Sequence, residues 1–155
     1  MSLLISAQEY HASRIDPGPI PSTFEEFMER RLVYSGFHVF AKFIGLAMDF
    51  RAPDEFMSMI EDVTRPLERS MALSNDYFSW PKDKEHFQQG KGANTVAFLQ
   101  QVEGISEEEA LESIKRQTIA LEESHNSALE RLMNASIFHQ AVQLRNPLVR
   151  YPEVL

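Results

Sequence analysis

The sequence predicts an all-α protein, and three observations carry the prediction. Ser22 with Glu25 and Ser106 with Glu109 have the spacing of a capping box, in which a serine and an acid three residues on satisfy orphan N–H groups at a helix start. After residue 106 the apolar residues Ala110, Ile114, Leu121, Ala128 and Leu132 recur at helical spacing and form one stripe. No segment shows the alternation of a half-buried strand, and there is no internal repeat. A helical bundle is the architecture that buries such stripes.

The elements follow in order. A Pro- and Gly-rich lead-in ends at Ser22, and the capping spacing there opens a helix through FEEFMERRLVY. Ser35 and Gly36 interrupt it, because glycine is a weak helix former. Residues 37 to 50, FHVFAKFIGLAMDF, are apolar on every face and read as a helix that needs neighbours on all sides. RAPDE makes a turn with Asp54 as the expected cap, and FMSMIEDV reads as a short helix. Thr64, Arg65 and Pro66 look like the cap and first turn of the next helix, where proline is tolerated. That helix is expected over 66–88. GKGAN marks a loop, residues 95 to 103 a short helical stretch ending at Gly104, and 106–133 one long helix.

Composition narrows the function. With 155 residues, 43% of them hydrophobic, the chain lies in the range of one domain. It has no cysteine, which excludes disulfides, thiolate metal sites and thiol redox chemistry and suits a reducing, cytoplasmic compartment. A formal charge of −8 argues against a nucleic-acid partner, since affinity for a phosphate backbone rests on clustered Lys and Arg. The N-terminus lacks the pattern of a signal peptide. The most apolar segment is 14 residues long and contains Lys42, too short to span a bilayer.

The stretch SNDYFSWPKDKE, residues 74 to 85, carries the chemistry. Asn75, Ser79 and Asp83 are spaced by four, so on a helix they drift only about 80° around the axis and share one face. An amide carbonyl, a hydroxyl and a carboxylate are hard oxygen donors suited to Mg²⁺, which keeps several waters and completes its shell on a phosphorylated substrate. Lys82 lies beside the last donor, where a cation can neutralise leaving-group charge. The same pattern also fits a merely solvated helix face. Phe40, Phe43, Phe78 and Trp80 are expected in the core, and the five histidines show no metal-ligand spacing.

N75-D-Y-F-S79-W-P-K-D83 resembles the NSE metal-binding motif of class I terpene synthases, in the version of fungal diterpene and sesterterpene cyclases. The resemblance implies that Asn75, Ser79 and Asp83 chelate one Mg²⁺ and that Lys82 touches diphosphate. Upstream, PSTFEEFMERRLVYSG is similar to the family segment in which an arginine senses diphosphate just before a helix break. Arg31, 44 positions ahead of Asn75, is the expected sensor, with Arg30 its neighbour, and Ser35 and Gly36 match the effector region. The substrates implied are isoprenyl diphosphates: farnesyl, geranylgeranyl or geranylfarnesyl. The reaction implied is ionisation followed by carbocation cyclisation.

Three departures qualify the match. Asp83 stands where the family usually has Glu, and Glu85 lies off the face. Pro81 falls between the donors, removes one backbone N–H and crowds the carbonyl of Tyr77, so a bend is expected ahead of Asp83. No two aspartates are adjacent, so the aspartate-rich motif that binds the other metals in this family is not found among these residues. Arg150 and Tyr151 spell the family's closing Arg-Tyr pair, but NPLVRYPEVL is more similar to the stretch before it.

The expectation is therefore a partial class I terpenoid synthase bundle: residues 1–155 as one incomplete cyclase domain, with little activity alone. An exposed apolar face around residues 37–50 would favour self-association. The alternatives are a non-catalytic helical interaction module and, more distantly, a prenyltransferase.

Overall fold

Residues 21–36, 54–88 and 94–136 are described by a computed structural model of the chain. Within them the elements are α1 (Phe24–Ser35), α2 (Asp54–Gln88), α3 (Thr95–Phe98), a π-helical turn (Leu99–Glu103) and α4 (Glu107–Asn134). No strand occurs among the described residues.

Helix α1 begins one residue later than the Ser22 capping box places it. Thr23 is the N-cap, its hydroxyl accepting from the Glu26 N–H, while the Glu26 carboxylate accepts from the backbone N–H and hydroxyl of Ser22. The cap shifts to Thr23, and the Glu26 carboxylate reaches past it to Ser22, so the reciprocal box is not closed on the cap's own N–H. The helix stops at Gly36 with φ of 72°, a left-handed conformation glycine adopts without steric cost. The expected break stands where the sequence puts it. The apolar segment at 37–50, with Phe40 and Phe43, lies outside the described residues.

The predicted separation at Thr64–Pro66 does not occur. Helix α2 is a single element of 35 residues that contains both Pro66 and Pro81. A proline inside a helix frees a carbonyl one turn back. The carbonyl freed by Pro66 is that of Asp62; one residue on, His125 Nδ1 from α4 lies 2.8 Å from the Val63 carbonyl oxygen and ties α4 to this stretch of α2. Packing of α4 against this half of α2 accompanies a continuous helix where local sequence reads a boundary.

Helices α2 and α4 run antiparallel. Phe56 and Val63 near the start of α2 pack with Ala128 and Leu132 near the end of α4. At the other end Ala72, Leu73 and Trp80 meet Ala110 and Ile114, and Phe27, Met28, Leu32 and the buried run Val96–Leu99 complete the larger core. The stripe read from α4 is buried as expected, with Leu121 at its edge. Ser106 and Glu109 form a full capping box at its start.

Helix α1 is fastened to α2 by charge as well as by apolar contact. Arg65 and Arg69 both pair with Glu29, and Arg69 also with Glu25. Burial opposes ionisation of Glu29, but the hydrogen bonds from Arg65 and Arg69 outweigh it and hold the carboxyl below the usual range. Phe27 stacks on Phe98 with centroids 4.4 Å apart, joining α1 to α3. No helix among the described residues is long and apolar enough to cross a membrane.

Candidate metal and diphosphate site

The site lies where α1, α2 and α3 converge. Asp76 is its buried centre, at 1% exposure. Arg31, from α1, donates through Nε to both oxygens of Asp76 at 3.0 and 3.1 Å. Thr95, at the start of α3, donates its N–H at 2.8 Å and its hydroxyl at 2.6 Å to Asp76 Oδ2. A carboxylate this deep is tolerated because an opposite charge and several donors replace its lost water. Arg31 Nη2 then reaches Asn75 Oδ1 at 3.1 Å. Nη1 has no partner among the described residues.

The two arginines at the end of α1 thus separate by role. Arg30, half-buried, pairs with Glu26 on its own helix. Arg31 crosses to α2 and touches the first residue of the oxygen triad.

Ser79 and Asp83 meet one turn further on. The Ser79 hydroxyl donates to Asp83 Oδ2, so the short aspartate arm does reach its neighbour on the helix face. Asn94, at 3% exposure, enters from α3. Its Nδ2 lies 3.2 Å from Asp83 Oδ2, 3.4 Å from Ser79 Oγ and 3.0 Å from the Asp76 carbonyl oxygen. Its Oδ1 accepts from the Val96 N–H at 2.9 Å and caps α3. No hydrogen bond among the described residues joins Asn75 directly to Ser79 or Asp83.

Around this pair the surface is mixed. Lys82 is exposed, as Asn75 is. Lys84, not Lys82, is held: it pairs with Glu107 at the start of α4 and stands 6.0 Å from the Trp80 ring centroid. The Lys84 hydrogen bond depresses the Glu107 carboxyl below its usual range. The buried Trp80 N–H, which meets no acceptor at full hydrogen-bond geometry, leans on the same carboxylate. Trp80 is core as the sequence suggests, whereas Phe78 is 79% exposed and is not.

The donor chemistry suits a hard cation. No group of three or more His, Cys, Asp or Glu gathers among the described residues, so a metal here would rest on one carboxylate, neutral oxygens and an anionic substrate. Asp76 and Asn94 are the residues that sequence reading missed. Asp76 lies four residues after Ala72 and four before Trp80, on an inward face where an acid demands a partner. Asn94 precedes a helical run and has the signature of an N-cap.

Residues 1–124 match the family described as Terpene synthase family 2, C-terminal metal binding. The chain belongs to this family. Among curated terpene synthases it is 26% identical over 144 residues to sesterfisherol synthase of Neosartorya fischeri, covering 89% of this chain and 18% of that protein. It is 26% identical over 119 residues to quiannulatene synthase of Emericella variicolor, covering 72% and 16%. Against fusoxypene synthase of Fusarium oxysporum the identity is 23% over 119 residues, covering 75% and 17%. The chain spans less than one fifth of the length of these relatives. The terpene synthase match covers α1, α2, α3 and most of α4, so Arg31, Asp76, Asn94 and the oxygen triad all lie inside it.

Proposed function

We propose that this chain carries one metal-binding wall of a class I terpene cyclase acting on an allylic isoprenyl diphosphate. In this reading Asn75, Ser79 and Asp83 hold Mg²⁺, and Arg31 and Lys82 bind the diphosphate. The observation that carries it is the meeting of Arg31 with Asn75 across 44 residues of sequence, which sets a cation against the first residue of the triad. Asp76 takes up Nε and shares Nη2 with Asn75, which leaves Nη1 for an anion. Lys82, exposed on the next turn beyond Ser79, can close on the same anion.

Mg²⁺, when bound, supplies charge neutralisation of the diphosphate as its carbon–oxygen bond breaks. The chain's own part is binding and orientation: Arg31 and Lys82 donate to phosphate oxygens, while the Asp76 clamp fixes where Arg31 points. Farnesyl, geranylgeranyl and geranylfarnesyl diphosphates are the candidate substrates. Similarity to a bifunctional sesterterpene synthase of Talaromyces wortmannii, 30% identical over 92 residues, favours the longer ones.

The test is diphosphate binding followed by thermal shift. Stabilisation by diphosphate that requires Mg²⁺ and disappears in Asn75→Ala is expected. Indifference to both would sink the reading in favour of a non-catalytic helical interaction module. These 155 residues contain no aspartate-rich motif, so no cyclised product is expected from them alone; a product abolished by Asn75→Ala would refute that expectation.

A further inference from the structure

Pro81 lies between Ser79 and Asp83, and its missing N–H cannot bond the Tyr77 carbonyl. A helix weakened there would leave Asp83 free to rotate away from Ser79. The Asn94 amide spans this point. Its Nδ2 reaches the Asp76 carbonyl at 3.0 Å, five residues before the proline, and Asp83 Oδ2 at 3.2 Å, two residues after it. The orientation of the amide is chemically determined. Oδ1 caps the Val96 N–H, so only the NH₂ faces the carbonyl and the carboxylate, and a flip would set acceptor against acceptor.

We infer that Asn94 is a positioning residue that splints α2 across Pro81 and fixes the register of Asp83 against Ser79. The two hydrogens of Nδ2 go to groups on either side of the weak point, with Ser79 Oγ a longer third contact at 3.4 Å. Asp83 Oδ2 is thereby turned inward, receiving both Ser79 and Asn94, and Oδ1 makes no hydrogen bond among the described residues. One carboxylate oxygen is held and the other is presented. Burial of Asn94 at 3% exposure keeps water from replacing the amide. The splint itself is a matter of hydrogen bonding; its consequence for cation binding rests on the proposed metal role of Ser79 and Asp83.

The experiment is a double-mutant cycle on the full chain with Asn94→Ser and Pro81→Ala. Serine keeps the N-cap but cannot reach Asp83, and alanine restores the helical N–H. Two readouts are taken: amide hydrogen exchange at residues 82–84 in metal-free protein, and Mn²⁺ affinity by electron paramagnetic resonance in the presence of pyrophosphate. Asn94→Ser is expected to speed exchange at 82–84 and weaken Mn²⁺ binding about 10- to 100-fold, the range for loss of a group that orients a metal ligand. In the Pro81→Ala background the same substitution should have a much smaller effect on both. Equal effects in the two backgrounds, or unchanged exchange, would overturn the splint. Absence of Mn²⁺ binding in the unmutated chain would instead overturn the metal reading, leaving exchange to decide the splint. Should Asn94→Ser fail to fold, the Asn94 side-chain NH₂ protons of the unmutated chain decide by NMR: slow exchange supports the splint, and the rate of a free amide refutes it.

Discussion

Replacing Asp76 by alanine should be among the most damaging single changes in the described structure. Removing one partner of a buried ion pair costs about 3–5 kcal/mol, because the other charge is left uncompensated. Arg31 retains 12% side-chain exposure and borders exposed Asn75, so its head can move toward water and lower that cost. Thr95 cannot: it is fully buried, and its N–H and hydroxyl both lose their acceptor, at about 1–3 kcal/mol for a stranded group. The two effects together give a loss of about 4 kcal/mol. At roughly 2–4 °C per kcal/mol for a chain of this size, the midpoint should fall by about 8–16 °C. Urea unfolding followed by far-ultraviolet circular dichroism gives the free energy directly. Adding Arg31→Met to Asp76→Ala should recover about half the loss, since neither charge is then stranded. A single-mutant cost under about 1 kcal/mol, or simple additivity of the two, would refute the clamp.

Three further outcomes test the frame around the site. Ile114→Ala, at a fully buried position of α4, should cost about 2–5 kcal/mol in the same unfolding assay, as core truncations do. Phe78→Ser should leave stability within about 1 kcal/mol, because the ring is largely in solvent; a larger loss would show that it packs in the folded chain. Glu29→Gln tests the α1–α2 ion pairs. The folded Glu29 carboxyl titrates below its unfolded range, so its stabilisation is present above that range and lost as pH falls through the folded value. The gap between Glu29→Gln and the unmutated chain, under about 1 kcal/mol at neutral pH given this exposure, should therefore close on acidification, and a gap that widens would contradict the assignment.

What could be read from the sequence was whatever depended on local spacing. The Ser106 capping box, the stripe on α4, the stop at Gly36 and the four-residue rhythm of Asn75, Ser79 and Asp83 need only neighbours in the chain. The misreadings at Pro66 and Asp76 share one cause, partners distant in the chain. Pro66 reads locally as a boundary, but α4 packs along this stretch of α2, with Ala128 and Leu132 against Phe56 and Val63, and His125, 59 residues after Pro66, against the Val63 carbonyl. Asp76 reads as one scattered acid until Arg31 and Thr95 are seen to converge on it. The Asn94 cap of Val96 is local, but its bonds to Asp83 and Asp76 cross from one helix to another and cannot be read from spacing.

Helix α2, at 35 residues and about 50 Å, joins two separate apolar clusters. The smaller, around Phe56, Val63, Ala128 and Leu132, touches none of the groups at the site. Cooperative opening need not engage both at once. The terminal turns of α2 and α4 can fray together while Arg31, Asp76 and Asn94 stay closed. Native-state hydrogen exchange should then resolve two openings of different free energy, with the lower-energy one at residues 56–63 and 128–132. Damage to the distal cluster would shorten the protein's lifetime against proteolysis before it altered the affinity of the site.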